Sequence, residues 1–161
     1  LDEFMAIIDN SLENGYTVDW AADVSEPGFQ YSKGFAVIPA GVGEDAQNTE
    51  WSKWETMSAN SRRNMIANAT EPIKEMEITQ ELRQQGYDNY ETTDDHGMLI
   101  TGLYKDQNGN TFYKVKNSWN TDNIYDGYFF ASAPFVAYKT LNIVVHKDAV
   151  PKDIRKKLGI K

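Results

Sequence analysis

Residues 96–119 read HGMLITGLYKDQNGNTFYKVKNSW, two apolar and β-branched runs on either side of a polar turn. The runs at 98–104 and 111–117 have the composition of β-strands. The Asn108-Gly109 pair between them is a strong turn signal, because both residues tolerate positive φ. The sequence therefore predicts an antiparallel β-hairpin here.

Polar side chains stand at both ends of this hairpin. His96 precedes the first strand and Asn117 ends the second, so antiparallel pairing brings them to the same edge of the sheet. A two-residue turn at Asn108-Gly109 would place Asn117 opposite Ile100. A bulge or an asymmetric loop must absorb this offset if His96 is to reach Asn117. The hairpin thus permits the contact without requiring it.

An imidazole beside a carboxamide suits catalysis by a thiol nucleophile. The thiolate is the reactive form, and an imidazole can take up its proton near neutral pH. A carboxamide oxygen that accepts the imidazole N–H would fix the tautomer and the plane of the ring without adding a full negative charge. Trp119 follows Asn117 by two residues and could shield this hydrogen bond from water.

The first part of the chain predicts a helix followed by a strand. Apolar residues at helical spacing predict the helix over residues 2–14, and period-two alternation predicts the strand over 16–22. Residues 23–50 are rich in Gly and Pro, which indicates irregular structure with one brief strand at 35–38.

A polar segment, residues 51–77, interrupts this pattern and has weak helical character over 58–69. Thr79 is a suitable N-cap for a further helix that extends towards Tyr90. We interpret residues from about 50 to 90 as a helical insertion.

After the hairpin, the sequence predicts mostly antiparallel sheet. Two strands are expected at 128–132 and 140–146, with Pro134 interrupting the chain between them. Pro151 suits the first position of a short terminal helix that ends near Leu158. The chain contains no internal repeat, and we expect a single domain over residues 1–161.

The composition excludes several classes of function. With 161 residues, 40% of them apolar, the chain can form one domain with a hydrophobic core. The formal charge of −8 disfavours nucleic-acid binding. No apolar run approaches the roughly 20 residues of a membrane span. Because the chain has no Cys, disulfides and thiolate metal sites are excluded. Leu1 in place of Met suggests a processed, truncated or proteolysed product.

Simpler interpretations of these residues exist. A lone His beside two aspartates is more often a structural or surface residue than a catalyst. Asp94-Asp95-His96 could also bind a metal ion, but no further ligand at suitable spacing completes a site, so we expect no metal and no cofactor. His146, at the end of an apolar strand, is interpreted as structural, and the many aromatic residues as core or interface residues.

Several motifs taken together, in chain order, resemble the His-to-Asn region of papain-like cysteine peptidases. They are Asp95-His96-Gly97, the second strand with Tyr113 and Val115, Lys116-Asn117-Ser118-Trp119, and Gly127-Tyr128. The segments at 79–83, 138–140 and 144–147 most resemble the aminopeptidase C and bleomycin hydrolase branch of that family. The resemblance spans most of the chain and is densest from residue 78 onward.

The resemblance implies an α+β fold, the C-terminal lobe of a two-lobed peptidase, with an antiparallel and partly barrel-like sheet, a leading helix and a helical insertion. It implies that His96 is the general base and Asn117 the residue that orients it. Trp119 would shield the pair and Asp95 would support the site. A C-terminal tail ending in Ile160 and Lys161 would enter the cleft and restrict cleavage to chain ends.

The sequence departs from the family pattern at two points. Asn120 stands where the family usually has Gly after Asn-Ser-Trp, which puts the local turn in doubt. The nucleophilic Cys and the oxyanion-hole Gln belong to an N-terminal helical half, and nothing in this chain matches that half.

We therefore expect part of a cysteine-type aminopeptidase that is inactive alone, with the missing Cys-bearing lobe, a peptide substrate and a possible homo-oligomer as partners. The resemblance implies a cytoplasmic location and leaves a secreted or periplasmic parent open. The alternative is a non-catalytic binding or scaffold module that kept the fold and lost the nucleophilic lobe.

Overall fold

The structure is a computed structural model that describes residues 1–41, 54 and 56–160. Its helices are α1 (Asp2–Glu13), α2 (Ala59–Ala67), α3 (Gln80–Asp88), α4 (Ala133–Lys139) and α5 (Lys152–Leu158). Its strands are β1 (Val18–Ala22), β2 (Phe29–Gln30), β3 (Phe35–Ala36), β4 (His96–Lys105), β5 (Thr111–Lys116), β6 (Tyr128–Ser132) and β7 (Thr140–Val144). None of the helices within these ranges is long and apolar enough to cross a bilayer.

The seven strands form one sheet in the order β2-β3-β6-β5-β4-β1-β7. Neighbouring strands are antiparallel except β3 and β6, which run parallel. The predicted α+β class is confirmed. The described sheet has two free ends, at β2 and β7, so it is open and does not close into a barrel.

The core lies on one face of this sheet, against α1 and α4. Alternation along β1 buries Val18, Trp20 and Ala22 and exposes Asp19, as expected for a strand with one solvated face. The indole Nε1 of Trp20 donates to Thr140 Oγ1 at 2.7 Å, so its polar atom is satisfied within the core.

Helix α4 was not predicted, because Pro134 was interpreted as an interruption. Pro134 lies in the first turn of α4, where the missing N–H leaves no intrahelical hydrogen bond unmade. Ser132 caps this helix, since its Oγ accepts the N–H of Phe135 at 3.2 Å. A proline that breaks a strand pattern can therefore begin a helix.

The predicted helices on either side of residue 70 both form. Ser58 and Thr79 are the N-caps of α2 and α3, and each side chain accepts a backbone N–H of the first turn. Residues 50–53 and 55 of the proposed insertion, and residues 42–50 of the segment predicted to be irregular, lie outside the described residues. The single-domain boundary stays a prediction.

Lys139, the last residue of α4, is a buried cation at 2% exposure. Its Nζ donates to the carbonyl oxygen of Glu91 at 2.6 Å, lies 3.7 Å from the Asp23 carboxylate and also pairs with Glu26. Asp23 Oδ2 in turn accepts the N–H of Thr93 at 3.2 Å. One buried ion pair therefore joins α4, the end of β1 and the segment that leads into β4.

We expect Lys139→Met to lower the free energy of unfolding by about 3–5 kcal/mol, because removing one partner leaves a buried carboxylate uncompensated. Urea denaturation measures the loss. Lys152→Met, at an exposed lysine of α5, is the matched control and should change stability by less than about 0.5 kcal/mol. Equal effects of the two substitutions would contradict the role of the buried pair.

Glu75 fastens the segment before α3 to the sheet and to α4. Its Oε1 accepts the N–H of Ile38 at 2.7 Å and the hydroxyl of Ser132 at 2.5 Å. Burial raises the pKa of Glu75 to about 7; these two hydrogen bonds oppose the rise, and the Asp106 charge adds to it. The folded protein thus holds a proton on Glu75 at a pH where the unfolded chain has lost it.

The stability of the protein should therefore fall as pH rises from about 4.5 to 7. A pKa raised from 4.5 to about 7 corresponds to about 3 kcal/mol, all of it lost once the pH exceeds the folded-state value. Glu75→Gln keeps an acceptor oxygen and removes the titration, so its stability should fall less over this range. Parallel curves of unfolding free energy against pH for the two proteins would overturn this assignment.

Candidate functional site

The loop of the β4–β5 hairpin contains five residues, 106–110, rather than the two of an Asn108-Gly109 turn. Asp106 organises it, because Oδ1 accepts the N–H groups of both Asn108 and Asn110 at 2.8 Å. Gly109 takes a φ of +85°, which glycine adopts without strain. The strong Asn-Gly signal located the turn correctly, but the acidic side chain before it set the length.

A bulge in β4 then changes the register. Gly102 pairs with Lys114, whereas Ile100 pairs with Val115, which leaves Thr101 as the extra residue. The Thr101 hydroxyl donates to the carbonyl oxygen of Lys114 at 3.1 Å. Since Leu99 pairs with Lys116, the next residue, Asn117, comes level with Met98 instead of Ile100, close to the start of β4.

The structure brings His96 and Asn117 together. His96 Nε2 lies 2.7 Å from Asn117 Oδ1, and the N–H of Ser118 donates to the same oxygen at 2.8 Å. A backbone N–H can only donate, so the atom facing it is the amide oxygen. An amide oxygen can only accept, so Nε2 carries the hydrogen and Nδ1 of the neutral ring is the free acceptor.

Asn117 is buried, at 2% exposure, and its backbone and side chain are both anchored. Its backbone N–H donates to the carbonyl oxygen of Gly127 at 3.1 Å, beyond the last residue pair of β5. Among the described residues, its Nδ2 has no hydrogen-bond partner, so the side chain is anchored through its oxygen.

Asn123 organises the loop that supports Asn117, and it was not among the predicted site residues. Its Oδ1 accepts the N–H of Gly127 at 2.7 Å, and its Nδ2 donates to the carbonyl oxygens of Tyr128 and Tyr31 at 2.6 and 3.2 Å. An Asn four residues before a Gly in a polar loop is a weak signal of such a role.

Trp119 covers the imidazole and remains 47% exposed. Its ring centre lies 4.9 Å from that of His96, with the planes inclined at 38°. The edges of Phe29 and Tyr31 contact Trp119 at centroid distances of 5.8 and 5.2 Å. These two supports were not predicted, because they lie about 90 residues away in the chain and in a segment predicted to be irregular.

Asn120 does not disturb the turn after Trp119. Among the described non-glycine residues, positive φ occurs at Tyr90 and Asp126, so the backbone at Asn120 does not call for glycine. The Tyr31 hydroxyl donates to the carbonyl oxygen of Asn120 at 2.5 Å. Burial and the Asp122 charge raise the pKa of Tyr31, which keeps this donor protonated.

Asp95 contacts the backbone of the neighbouring strand connection. Its Oδ1 accepts the N–H of Val24 at 2.9 Å, just beyond β1. Together with the Thr93 N–H bond to Asp23, this bond fixes the approach to His96. Any support that Asp95 gives to the site acts through the backbone position of His96.

Comparisons with known proteins identify the family of this chain. The model of the Peptidase C1-like family matches residues 51–160 of this chain. The chain belongs to the Peptidase C1-like family. Its sequence is 41% identical to aminopeptidase C of Lactococcus lactis subsp. cremoris over 59 residues, which are 36% of this chain and 14% of that protein. Aminopeptidase C of Lactobacillus helveticus is 33% identical over 69 residues, 43% of this chain and 15% of that protein.

The fold of this Peptidase C1-like chain matches that of PepW from Lactobacillus rhamnosis HN001 with a TM-score of 0.59 at 20% identity. The match covers 100% of this chain and 30% of PepW, so the chain spans less than a third of that relative. The resemblance to papain-like peptidases of the aminopeptidase C type is confirmed.

The C-terminal tail ends close to helix α5. Ile160 follows Gly159, which ends α5 in the left-handed conformation, and the N–H of Ile160 returns to the carbonyl oxygen of Arg155 at 3.0 Å. Lys157 of the same helix pairs with Glu3 of α1. Lys161 lies outside the described residues, and a role of the tail in the cleft stays a prediction.

The hydrogen bond between His96 and Asn117 predicts which ring nitrogen of His96 carries the hydrogen. In the unmodified chain, ¹⁵N shifts of the uncharged His96 ring should place its hydrogen on Nε2. Asn117→Ala should shift the ring towards the other tautomer and lower the free energy of unfolding by about 1–3 kcal/mol, because Ser118 loses its acceptor. Asn142→Ala, at an exposed Asn of β7, is the matched control. An unchanged tautomer in the Asn117 variant would argue against orientation by Asn117.

Proposed function

We propose that this chain supplies the imidazole and the carboxamide of a thiol-dependent peptidase site, with His96 as general base and Asn117 as the residue that orients it. The observation that carries the proposal is the 2.7 Å contact between His96 Nε2 and the oxygen of a buried Asn117, shielded by Trp119. Membership of the Peptidase C1-like family supports the same reaction class.

The chemistry follows from the tautomer. With its hydrogen on Nε2, the ring presents Nδ1 as a base for a Cys thiol. The thiolate attacks the peptide carbonyl carbon, and the proton now on Nδ1 passes to the leaving amine. Water then gives its proton to Nδ1 and cleaves the resulting thioester, which restores the thiol. Asn117 holds one ring plane throughout and stabilises the imidazolium without a competing negative charge.

The nucleophile comes from outside this sequence, which contains no Cys. We propose that a Cys-bearing N-terminal lobe completes the site and that residues 1–161 act as the C-terminal half of a two-lobed aminopeptidase with a peptide substrate. The two aminopeptidase C relatives are far longer than their matched 59 and 69 residues, consistent with a missing part. Exposed Trp119 would then line the cleft between the lobes.

The pure 161-residue chain should show no thiol-dependent hydrolysis of an aminoacyl reporter. The chain joined to the segment encoded upstream of Leu1 should be active under reducing conditions. In that longer protein, His96→Gln should lower kcat/KM by on the order of 10³-fold or more. His146→Gln, at an exposed His two residues after the edge strand β7, is the matched control and should keep activity.

Two results would overturn this proposal. One is thiol- and His96-dependent cleavage by the pure chain, since the chain has no thiol. The other is full activity of the longer protein carrying His96→Gln. An upstream reading frame without a Cys-bearing helical segment would instead favour the non-catalytic binding or scaffold module, which the absence of Cys also allows.

A further inference from the structure

Lys139 is a buried cation that has no part in the proposed peptidase reaction. Its Nζ donates to the backbone carbonyl oxygen of Glu91 at 2.6 Å and lies 3.7 Å from the Asp23 carboxylate. Burying an ammonium group is costly unless ion pairs and hydrogen bonds compensate it, and an apolar side chain would fill the same space without that cost. The reason for this cation therefore lies in the groups that it holds.

The groups held by Lys139 belong to the segment that leads into His96. Residues 91–95 connect α3 to β4 and form neither helix nor strand. Lys139 binds the carbonyl oxygen of Glu91 directly, and the Asp23 carboxylate beside it accepts the N–H of Thr93 at 3.2 Å. These hydrogen bonds fix the backbone at two points, five and three residues before the imidazole.

Tyr138, the neighbour of Lys139 in α4, holds the same segment through other atoms. Its hydroxyl donates to the Glu91 carboxylate at 3.2 Å, and burial together with the Glu91 charge raises the pKa of Tyr138 to about 12, so the hydroxyl stays a donor at neutral pH. The Tyr138 ring packs so closely on Gly86 that a Cβ there would lie 2.8 Å from it. The carbonyl oxygen of Gly86 accepts the N–H of Thr92 at 2.9 Å.

Helix α4 provides a fixed base for these two side chains. Phe135 and Val136 are fully buried in the core. The N–H of Asp23 donates to the carbonyl oxygen of Lys139 at 2.9 Å, so α4 is joined to the end of β1 by backbone as well as by side chains. A supporting side chain orients a reactive group only when its own position is fixed by packing and hydrogen bonds, and Lys139 meets this condition.

We propose that Lys139, assisted by Tyr138, is a positioning residue for the imidazole of His96. Asn117 fixes the plane of the ring, whereas Lys139 fixes the backbone from which the ring projects, and it acts through residues 91–95 without contacting the ring. A displacement of about 1 Å can cost on the order of 100-fold in rate. The effect on catalysis rests on the proposed function of His96 as general base.

A double variant separates positioning from stability. Lys139→Met alone leaves the buried Asp23 carboxylate uncompensated, whereas Glu26, the other carboxylate beside Lys139, is partly exposed and can be hydrated. Adding Asp23→Asn removes the buried charge and keeps an oxygen that accepts the N–H of Thr93. The urea midpoint of the double variant should therefore recover about half or more of the loss caused by Lys139→Met.

The position of the His96 ring should not recover with the stability, because the Glu91 carbonyl oxygen lacks its ammonium donor in both variants. In the pure chain, the ¹⁵N shifts of His96 should move away from the tautomer with the hydrogen on Nε2. The nuclear Overhauser effect between His96 and Trp119, whose ring centres lie 4.9 Å apart, should weaken. Tyr138→Phe, which removes only the hydroxyl bond to Glu91, should produce the same changes at smaller size.

The longer protein that carries the upstream segment gives the kinetic measurement. The double variant should lower kcat by about 10- to 100-fold and change KM by less than about threefold, because misplacing the base weakens the transition state and not substrate binding. Ile154→Ala, at a buried residue of α5, is the control for lost stability. It should lower the urea midpoint and leave the His96 signals and kcat unchanged.

Two results would overturn the role of Lys139. One is a double variant whose ¹⁵N shifts and Overhauser effects match those of the unmodified chain. The other is an Ile154→Ala chain whose His96 signals move as far, since the signals would then follow stability alone. The ring measurements need no activity, so a failure of the catalytic role of His96, seen as full activity of the longer protein with His96→Gln, is a separate result.

Discussion

A single extra residue in β4, Thr101, determines which side chains meet at the open end of the central hairpin. It shifts the pairing of β4 with β5, so that Asn117 comes level with Met98 and its amide oxygen reaches His96. The same shift places Leu99 beside Lys116 on the face of the sheet directed away from the core. Because side chains alternate between faces with a period of two, one inserted residue sets the composition of both surfaces.

The hydrogen bond at the site depends on supports that lie outside the hairpin. The buried ion pair of Lys139 and Asp23 fixes the segment before His96, and Asn123 fixes the loop after Asn117. Trp119 covers the imidazole of His96 and is itself contacted by Phe29. Elements from both ends of the chain thus converge on one imidazole, which explains how an open sheet can hold a ring in one orientation.

Much of this architecture follows from local sequence. Helix α1, the hairpin strands and the Thr79 cap of α3 were predictable, because apolar period, turn residues and capping side chains act over a few residues. The order of motifs around His96 and Asn117 likewise indicated the family. Their contact was permitted by the sequence but was decided by the bulge, which no local pattern signals.

What could not be predicted depends on distant contacts or on context. Helix α4 was not predicted, because proline disfavours a strand but is well tolerated in the first turn of a helix, where Pro134 lies. Phe29 supports Trp119 across about 90 residues, and burial of Lys139 depends on the carboxylates of Asp23 and Glu26, which lie in one segment near the other end of the chain. Single-sequence patterns carry no information on such pairings, and only the folded sheet brings them together.

The position of β1 between β4 and β7 has a consequence for synthesis and folding. β1 precedes its partners β4 and β7 by about 80 and 120 residues. Both edges of β1 are therefore unpaired when this strand emerges from the ribosome. Pairing over such long sequence separations slows folding relative to proteins with mostly local contacts, because the entropy of loop closure is lost before the contacts form. During that interval Trp20 and its neighbours are accessible to chaperones.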